Sequence, residues 1–427
     1  MDIKNPSRRG SSQQRRGATT FQLVVILVPV LLAFMGFAVD YGRLYMIRNE
    51  MQAAANASAL AAAARLGGFD AALDAATEQA NTAVAEAAGF ANKIDYGGRV
   101  LGGGDTLTST VEEPQFFDTV AGATGQGDGG GGGTGVLRHV RVSLLADAPT
   151  VFFRFLPLAQ EGRVPIRVQA AAGVSAPLCV ACNIEPIVIA APDAAETIDF
   201  GFTVGTRYTL GYTCTGQPTP QPIAGSVQRL QYLMLNRWDQ DSEVPEQTQA
   251  FRMGLYGMPG NASELKSCLN IANTETVWES ALAGQCLQNN VPAVVRGFTC
   301  GLANRFEAGV FAGCETVQDS DTYSQSVLPD SDISDTDDYQ STYAGNTRRV
   351  ITIAIAADLV DATAITIAGF RQFLVNPLIG ATNINPLDPN GRFLLTYIGS
   401  PAPLRQGRFS GCSTVLDGGP GKVVLHQ

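Results

Sequence analysis

FQLVVILVPVLLAFMGFAV, residues Phe21 to Val39, contains no charged side chain. At about 1.5 Å of rise per residue, a helix of about 19 residues crosses the roughly 30 Å hydrocarbon core of a bilayer. Lys4, Arg8, Arg9, Arg15 and Arg16 precede the run, and Asp40 follows it directly. Basic residues collect on the cytoplasmic flank of a span, so the orientation read here is N-in. Residues 1–20 are then a basic cytoplasmic segment and residues 21–40 a transmembrane helix. The rest of the chain lies in the periplasm or at the cell exterior. Pro29 falls inside the run, where transmembrane helices tolerate it. Gln22 is strongly polar but sits at the cytoplasmic edge.

A cleaved signal peptide is the rival reading. Its apolar region would be shorter and would end at a small-x-small site. Phe37-Ala38-Val39-Asp40-Tyr41 offers no clean Ala-x-Ala. Helical character also continues past the membrane. Gly42 to Leu66 has no proline and is dense in alanine, the strongest helix former. Asp40 and Arg43 stand three apart, the spacing of a pair on one helical face. The residues favour a retained anchor whose helix breaks at Gly67-Gly68 and resumes from Asp70 to Ala88.

The composite of Arg15-Arg16-Gly17, the apolar run, Gly36-Phe37-Ala38-Val39-Asp40-Tyr41-Gly42-Arg43 and Met51-Gln52-Ala53-Ala54-Ala55-Asn56-Ala57-Ser58-Ala59-Leu60-Ala61 is distinctive. It resembles the N-terminal region of TadG-like proteins of the Flp (tight adherence) pilus assembly system. Asn56 stands where the usual family form has Asp. The resemblance covers roughly residues 15–65. It implies a bacterial inner-membrane component of pilus assembly, with other pilus-assembly or pilin proteins as partners, and no enzyme. Gly17 before the apolar run also looks like a prepilin peptidase site. Pilin-like chains carry Glu where this chain has Gln22. A buried Glu there needs an ionic partner in the fibre, and Gln22 cannot form that pair. A static anchor is therefore favoured over cleavage after Gly17 and entry into a fibre.

The chain has 427 residues, enough for two or three units of ordinary domain size. Net charge is −10 despite the basic N-terminus. An acidic exterior argues against nucleic acid, which needs a basic surface. All eight cysteines lie beyond the span: Cys179, Cys182, Cys214, Cys268, Cys286, Cys300, Cys314 and Cys412. An even count in an oxidising compartment reads as disulfides, and the sequence leaves the connectivity open. Short separations point to Cys268–Cys286 and Cys300–Cys314 as local pairs.

Residues 41–175 read as a helical spine followed by β-strands, a pilin-like α+β unit. Asn92 to Leu101 alternates weakly. Residues 122–135 are a glycine-rich flexible loop. Val140, Val142 and Leu144 alternate with Arg141, Ser143 and Leu145, and Val164, Ile166, Val168 and Ala170 repeat the pattern. Between them Pro149 to Leu158 is short and aromatic. Residues 176–427 form a Cys-containing, β-rich exterior domain. Glu185 to Ala191 reads as a buried strand. Asn261 to Leu269 and Val291 to Phe306 read as helices, and Asp319 to Asp338 as an exposed acidic loop. Arg348–Ala357, Ala364–Leu374 and Arg392–Ser400 are rich in β-branched residues and read as strands. The fold class expected is α+β: a transmembrane helix continuing into an extracytoplasmic helix, then mixed or antiparallel β-rich exterior structure.

No catalytic, cofactor or metal residue set stands out. Cys179-Val180-Ala181-Cys182 has the CxxC spacing, but a redox thiol needs a helix N-terminus, and Asn183-Ile184-Glu185-Pro186 leads into a strand. There is no second CxxC for zinc, and no His follows Cys182 for haem. Asp332-Ile333-Ser334-Asp335-Thr336 approximates the D-x-S-x-S/T signature of von Willebrand A metal sites, without the buried strand that signature requires. The carboxylates of loop 319–338 suit Ca²⁺ by ligand type, yet show no EF-hand order. His139 and His426 are the two histidines, far apart in sequence. The expectation is a non-enzymatic, single-span pilus-assembly component. The alternative is an exported adhesin or metal-dependent binding module on a membrane anchor.

Overall fold

The computed structural model describes residues 14–91, 109–125, 137–150, 152, 163–182, 184–212, 221–235, 268–277, 293–307, 312, 314, 329–359, 364–378, 383–399, 402–404, 407–409 and 418–426. Its described helices are α1 (Gln14–Ala63), α2 (Ala71–Ala91), α3 (Val120–Thr124) and α4 (Ala293–Ala303). The strands begin with β1 (Ser109–Val111), β2 (Gln115–Phe117), β3 (His139–Pro149), β4 (Arg163–Val174) and β5 (Val180–Cys182). Next come β6 (Ile187–Ala190), β7 (Arg207–Tyr212), β8 (Gln228–Met234), β9 (Cys268–Asn270) and β10 (Thr274–Thr276). The last are β11 (Val350–Ala356), β12 (Ala364–Asn376), β13 (Phe393–Tyr397), β14 (Gly407–Arg408) and β15 (Val423–His426). The architecture is α+β.

Helix α1 runs unbroken through Pro29 for 50 residues. From Phe21 to Val39 every residue except Gly36 is exposed. A helix apolar on all faces needs an apolar surround. Among the described residues α1 is the helix long and apolar enough to cross a membrane. It stops where Gly67 and Gly68 follow, and Gly68 takes a left-handed φ of 78° that disfavours side chains.

The chain divides into two compact units. The first comprises Met1–Ala57, Thr82–Glu113 and Val142–Ala170. In it β1 pairs antiparallel with β3, Val111 facing Leu144. Val142, Leu144, Ala146 and Ala148 are buried, while Leu145 and Asp147 are exposed. Ile166, Val168 and Ala170 are buried on β4, while Pro165, Arg167 and Gln169 are exposed. The period-two pattern expected from sequence is the burial pattern along β4 from 165 to 170, whereas on β3 Ser143, expected on the outward face, is buried too. Gln52 of α1 donates to the Gln169 carbonyl at 2.8 Å.

The second unit comprises Ser58–Asn81, Pro114–Arg141 and Ala171–Gln427. The end of α1 and the start of α2 meet through small buried residues: Ser58, Ala59, Ala62 and Ala63 on one, Ala72, Ala76 and Ala80 on the other. Small side chains let the backbones approach, and Ser58 Oγ donates to the Ala80 carbonyl at 2.9 Å. Phe69, in the turn between the helices, packs edge-on against Tyr339 and Tyr343.

The centre of this unit is a closed β-barrel. Its order is β12-β11-β6-β8-β7-β13, and β13 returns to pair with β12. Pairs β11–β6 and β7–β8 are parallel; the other barrel pairs are antiparallel. Closure gives each strand two neighbours and removes sheet edges. Alternate residues fill one core: Ile187 and Ile189, Leu210 and Tyr212, Tyr232 and Met234, Ile351 and Ile353, Phe373 and Val375, Phe393 and Leu395. Val295, Phe298 and Leu302 of α4 join the same cluster. The other faces of the strands also bury apolar residues. Val188, Leu233, Ala354, Ile367 and Phe370 pack with Ala181, Leu269 and Ile271. Strands β14, β5 and β9 form a small sheet in that order, with β5 in the middle. This two-sided burial explains why β11 reads VITIAIA, apolar at almost every position.

The three closing strands and the strand near Glu185 fall where the sequence placed them. One helix does not. Asn261–Leu269 was expected to be helical, but Cys268–Asn270 is strand β9, paired with β5. A disulfide and a strand partner outweigh local propensity there. Residues 261–267 lie outside the described residues, as do the expected strand 92–101, most of the glycine-rich loop (126–135), residues 153–158 of the aromatic stretch and residues 319–328 of the acidic loop. The second expected helix, Val291–Phe306, is the shorter α4.

Candidate functional sites

The clearest local construction lies where α1 leaves its charge-free run. Gly36 and Asp40 are buried, although their neighbours along the helix are exposed. They stand four apart and share one helical face. The Asp40 Oδ2 atom accepts the backbone N–H of Phe152 at 2.7 Å. One turn back, a Cβ on Gly36 would lie 2.7 Å from Cγ and Cδ1 of Phe152. Any side chain at 36 would therefore displace the ring. Gly36 and Asp40 form a notch that holds Phe152 by its backbone and its ring together. On α1 itself Phe37 and Tyr41 stack with centroids 6.3 Å apart, both well exposed. Sequence reading took Asp40 as the end of the span. It missed the partner, which is 112 residues away.

The acidic loop is not wholly exposed, as had been expected. Asp330 and Thr336 are buried. Asp330 Oδ2 accepts from the Tyr343 hydroxyl at 2.6 Å and from the Arg349 backbone N–H at 2.8 Å, and Oδ1 accepts from the Asp332 N–H at 3.0 Å. Asp332 in turn accepts from both the N–H and the hydroxyl of Ser334 and from the Ala344 N–H. These bonds hold the Asp332 carboxyl below the usual carboxylate range, against a burial effect in the other direction. Asp335 faces Arg207 at 2.8 Å. The Asp332 carboxylate and the Ser334 hydroxyl are thus bonded to each other and to backbone of the same loop, whereas the buried Thr336 hydroxyl has no hydrogen-bond partner among the described residues. Among the described residues no group of three His, Cys, Asp or Glu side chains is placed to hold a metal. Arg349, fully buried, donates to the Val375 carbonyl at 2.9 Å and lies over the Phe306 and Tyr343 rings. The loop is fastened to the end of the barrel by these contacts.

Two further ionisable pairs were not foreseen. Glu185 and Arg305 form a buried ion pair, and Arg305 also donates to the Arg348 carbonyl at 2.6 Å. Burial pushes the Glu185 carboxyl up, and Arg305 opposes that shift. His139 and His426 meet with ring centroids 5.2 Å apart. The contact crosses Gly173, where a Cβ would run into the His139 ring. Burial foremost, then His426 and Arg138, brings the His139 pKa from 6.5 down to about 4, with Asp118 acting in the opposite direction.

The cysteines pair across greater distances than local spacing suggested. Cys300 bonds Cys314, one of the two local pairs expected. Cys268 bonds Cys182 rather than Cys286, because β5 and β9 place Cys182 directly opposite Cys268. The CxxC is therefore not an internal dithiol: Cys182 is joined to Cys268, and Cys179 is also disulfide-bonded. Cys214, Cys286 and Cys412 lie outside the described residues. No described cysteine is free.

The family model Tad, "Putative Flp pilus-assembly TadE/G-like", matches residues 17–65. No curated protein and no solved structure matches the chain. The matched stretch contains the charge-free run, the Gly36–Asp40 notch and the alanine-rich part of α1. The chain's similarity to the Flp pilus-assembly TadE/G-like family is thus a similarity of residues 17–65.

Proposed function

We propose that this chain is a non-enzymatic, single-span component of Flp/Tad-type pilus assembly. It is held N-in in the bacterial inner membrane, and its α+β exterior acts as a contact surface for pilus or secretion components. The observation that carries the reading is the coincidence of the family match with an apolar helix exposed on all faces. The basic segment before it supports the orientation. Loop 329–349 engages its carboxylates at 330, 332 and 338 in hydrogen bonds and those at 335 and 337 in ion pairs with Arg207, which weighs against the metal-dependent adhesin. The test is photocrosslinking in cells from exposed exterior positions such as Val227 and Leu387, followed by mass spectrometry. Capture of pilus or secretion components is expected. Crosslinks confined to unrelated envelope proteins would contradict the proposal.

A further inference from the structure

The contact of Phe152 with α1 has a direction. Its backbone is fixed at Asp40, just past the charge-free run, while its ring lies one turn back at Gly36. Four residues of helix rise about 6 Å. If Phe21–Val39 fills the hydrocarbon core, Asp40 stands at the water side of the outer interface and Gly36 just inside it. The ring therefore points from the water side into the membrane. It remains 48% exposed, although its inner face is seated on α1. Phe37 and Tyr41 are exposed at the same height along the helix. Aromatic side chains gather at this level, where an apolar ring meets the headgroup boundary.

We propose that Phe152 is a membrane-inserted foot: its exposed ring face lies in the outer-leaflet interface, and its partner is lipid acyl chain. The Gly36–Asp40 notch exists to aim it. Asp40 captures the backbone on the water side, and the missing side chain at Gly36 lets the ring descend. The chain at Phe152 is thereby tied to the bilayer surface as well as to the anchor. This rests on the membrane-anchor reading, and the experiment separates the two.

The full chain is purified and reconstituted in phosphatidylcholine–phosphatidylglycerol vesicles, with Trp238 and Trp278 both replaced by Phe. In one version Phe152→Trp is the sole indole, and in another Leu31→Trp reports the middle of the span. Lipids brominated high on the acyl chain, lipids brominated near the terminal methyl, and aqueous iodide serve as quenchers. Phe152→Trp should be quenched more by the high-brominated than by the deep-brominated lipid, as an interfacial indole is, and resist iodide. Leu31→Trp should be quenched best by the deep-brominated lipid. Adding Gly36→Leu to Phe152→Trp should abolish the lipid quenching and restore iodide quenching. Phe152→Trp open to iodide, with Leu31→Trp still quenched in the deep lipid, would overturn the foot and leave the anchor standing. Leu31→Trp untouched by either lipid would overturn the anchor, and the foot with it.

Discussion

Arg305 is the residue whose loss should be felt most. Removing one member of a buried ion pair leaves the other charge uncompensated, which typically costs about 3–5 kcal/mol. Arg305→Ala should lower the unfolding free energy of the barrel unit by that amount, read as a lower urea midpoint. Replacing Glu185 and Arg305 together by Leu and Met should recover much of the loss, because the pair's own desolvation cost disappears with it. An Arg305→Ala variant with unchanged midpoint would refute the buried-pair account. His139 makes a pH-dependent prediction. The folded protein holds this imidazole neutral down to about pH 4, whereas the unfolded chain takes up the proton from about 6.5. The unfolded state therefore binds more protons between those values. The stabilisation is complete above 6.5 and is lost as pH falls toward 4, by something on the order of 2 kcal/mol. His139→Gln should flatten the stability curve across that window relative to the parent. Carboxylates contribute their own slope to both proteins, so the difference between the curves is the readout. Parallel curves would count against a buried neutral His139.

At the scale of elements, the disulfides differ in what they close. Cys182–Cys268 joins residues 86 apart, and Cys300–Cys314 joins residues 14 apart. In the chain-entropy view the longer loop constrains the unfolded state more, about 4–5 kcal/mol against about 3. Cys182→Ser with Cys268→Ser should lower the melting temperature more than the corresponding change at 300 and 314. The reverse ranking would show that native packing, not loop closure, decides the difference. The acidic loop gives a second element-scale expectation. Its carboxylates already accept backbone and hydroxyl donors, so titration of the exterior part with Ca²⁺ should release no binding heat and leave its melt unchanged. A stoichiometric Ca²⁺ site would revive the metal-dependent adhesin. Much of this architecture was legible beforehand. Strands β11 to β13 announce themselves through β-branched runs, and α1 through hydropathy and alanine. What could not be read were partners brought together by tertiary pairing. Cys182 and Cys268 become neighbours only when β5 and β9 pair. Asp40 looks like a boundary marker until Phe152 arrives from far along the chain. Asp330 looks solvated in a run of Asp and Ser, because nothing local reveals that Tyr343 and the Arg349 backbone will enclose it. The Asn261–Leu269 reading failed in part for the same reason, since short-range propensity cannot report a strand partner.

For the molecule as a whole, on the proposed topology, the apolar helix sets the compartment, and the compartment sets the cysteine chemistry. A retained anchor keeps its basic segment, which fixes orientation, and Gln22 cannot supply the ion pair of a fibre-packed pilin. Intact-mass analysis of membrane-extracted protein should therefore show the full chain. Cleavage after Gly17 would remove roughly 2 kDa and place the protein among processed, pilin-like subunits, at about 110 Da per residue over about 17 residues. The account stands or falls on topology. A phosphatase reporter that folds only after export, fused after Gln427 in the full chain, tests it most directly. Strong phosphatase activity is predicted, together with loss of activity when residues 21–39 are deleted. An inactive phosphatase at Gln427, with a cytoplasm-only reporter active at the same position, would contradict it.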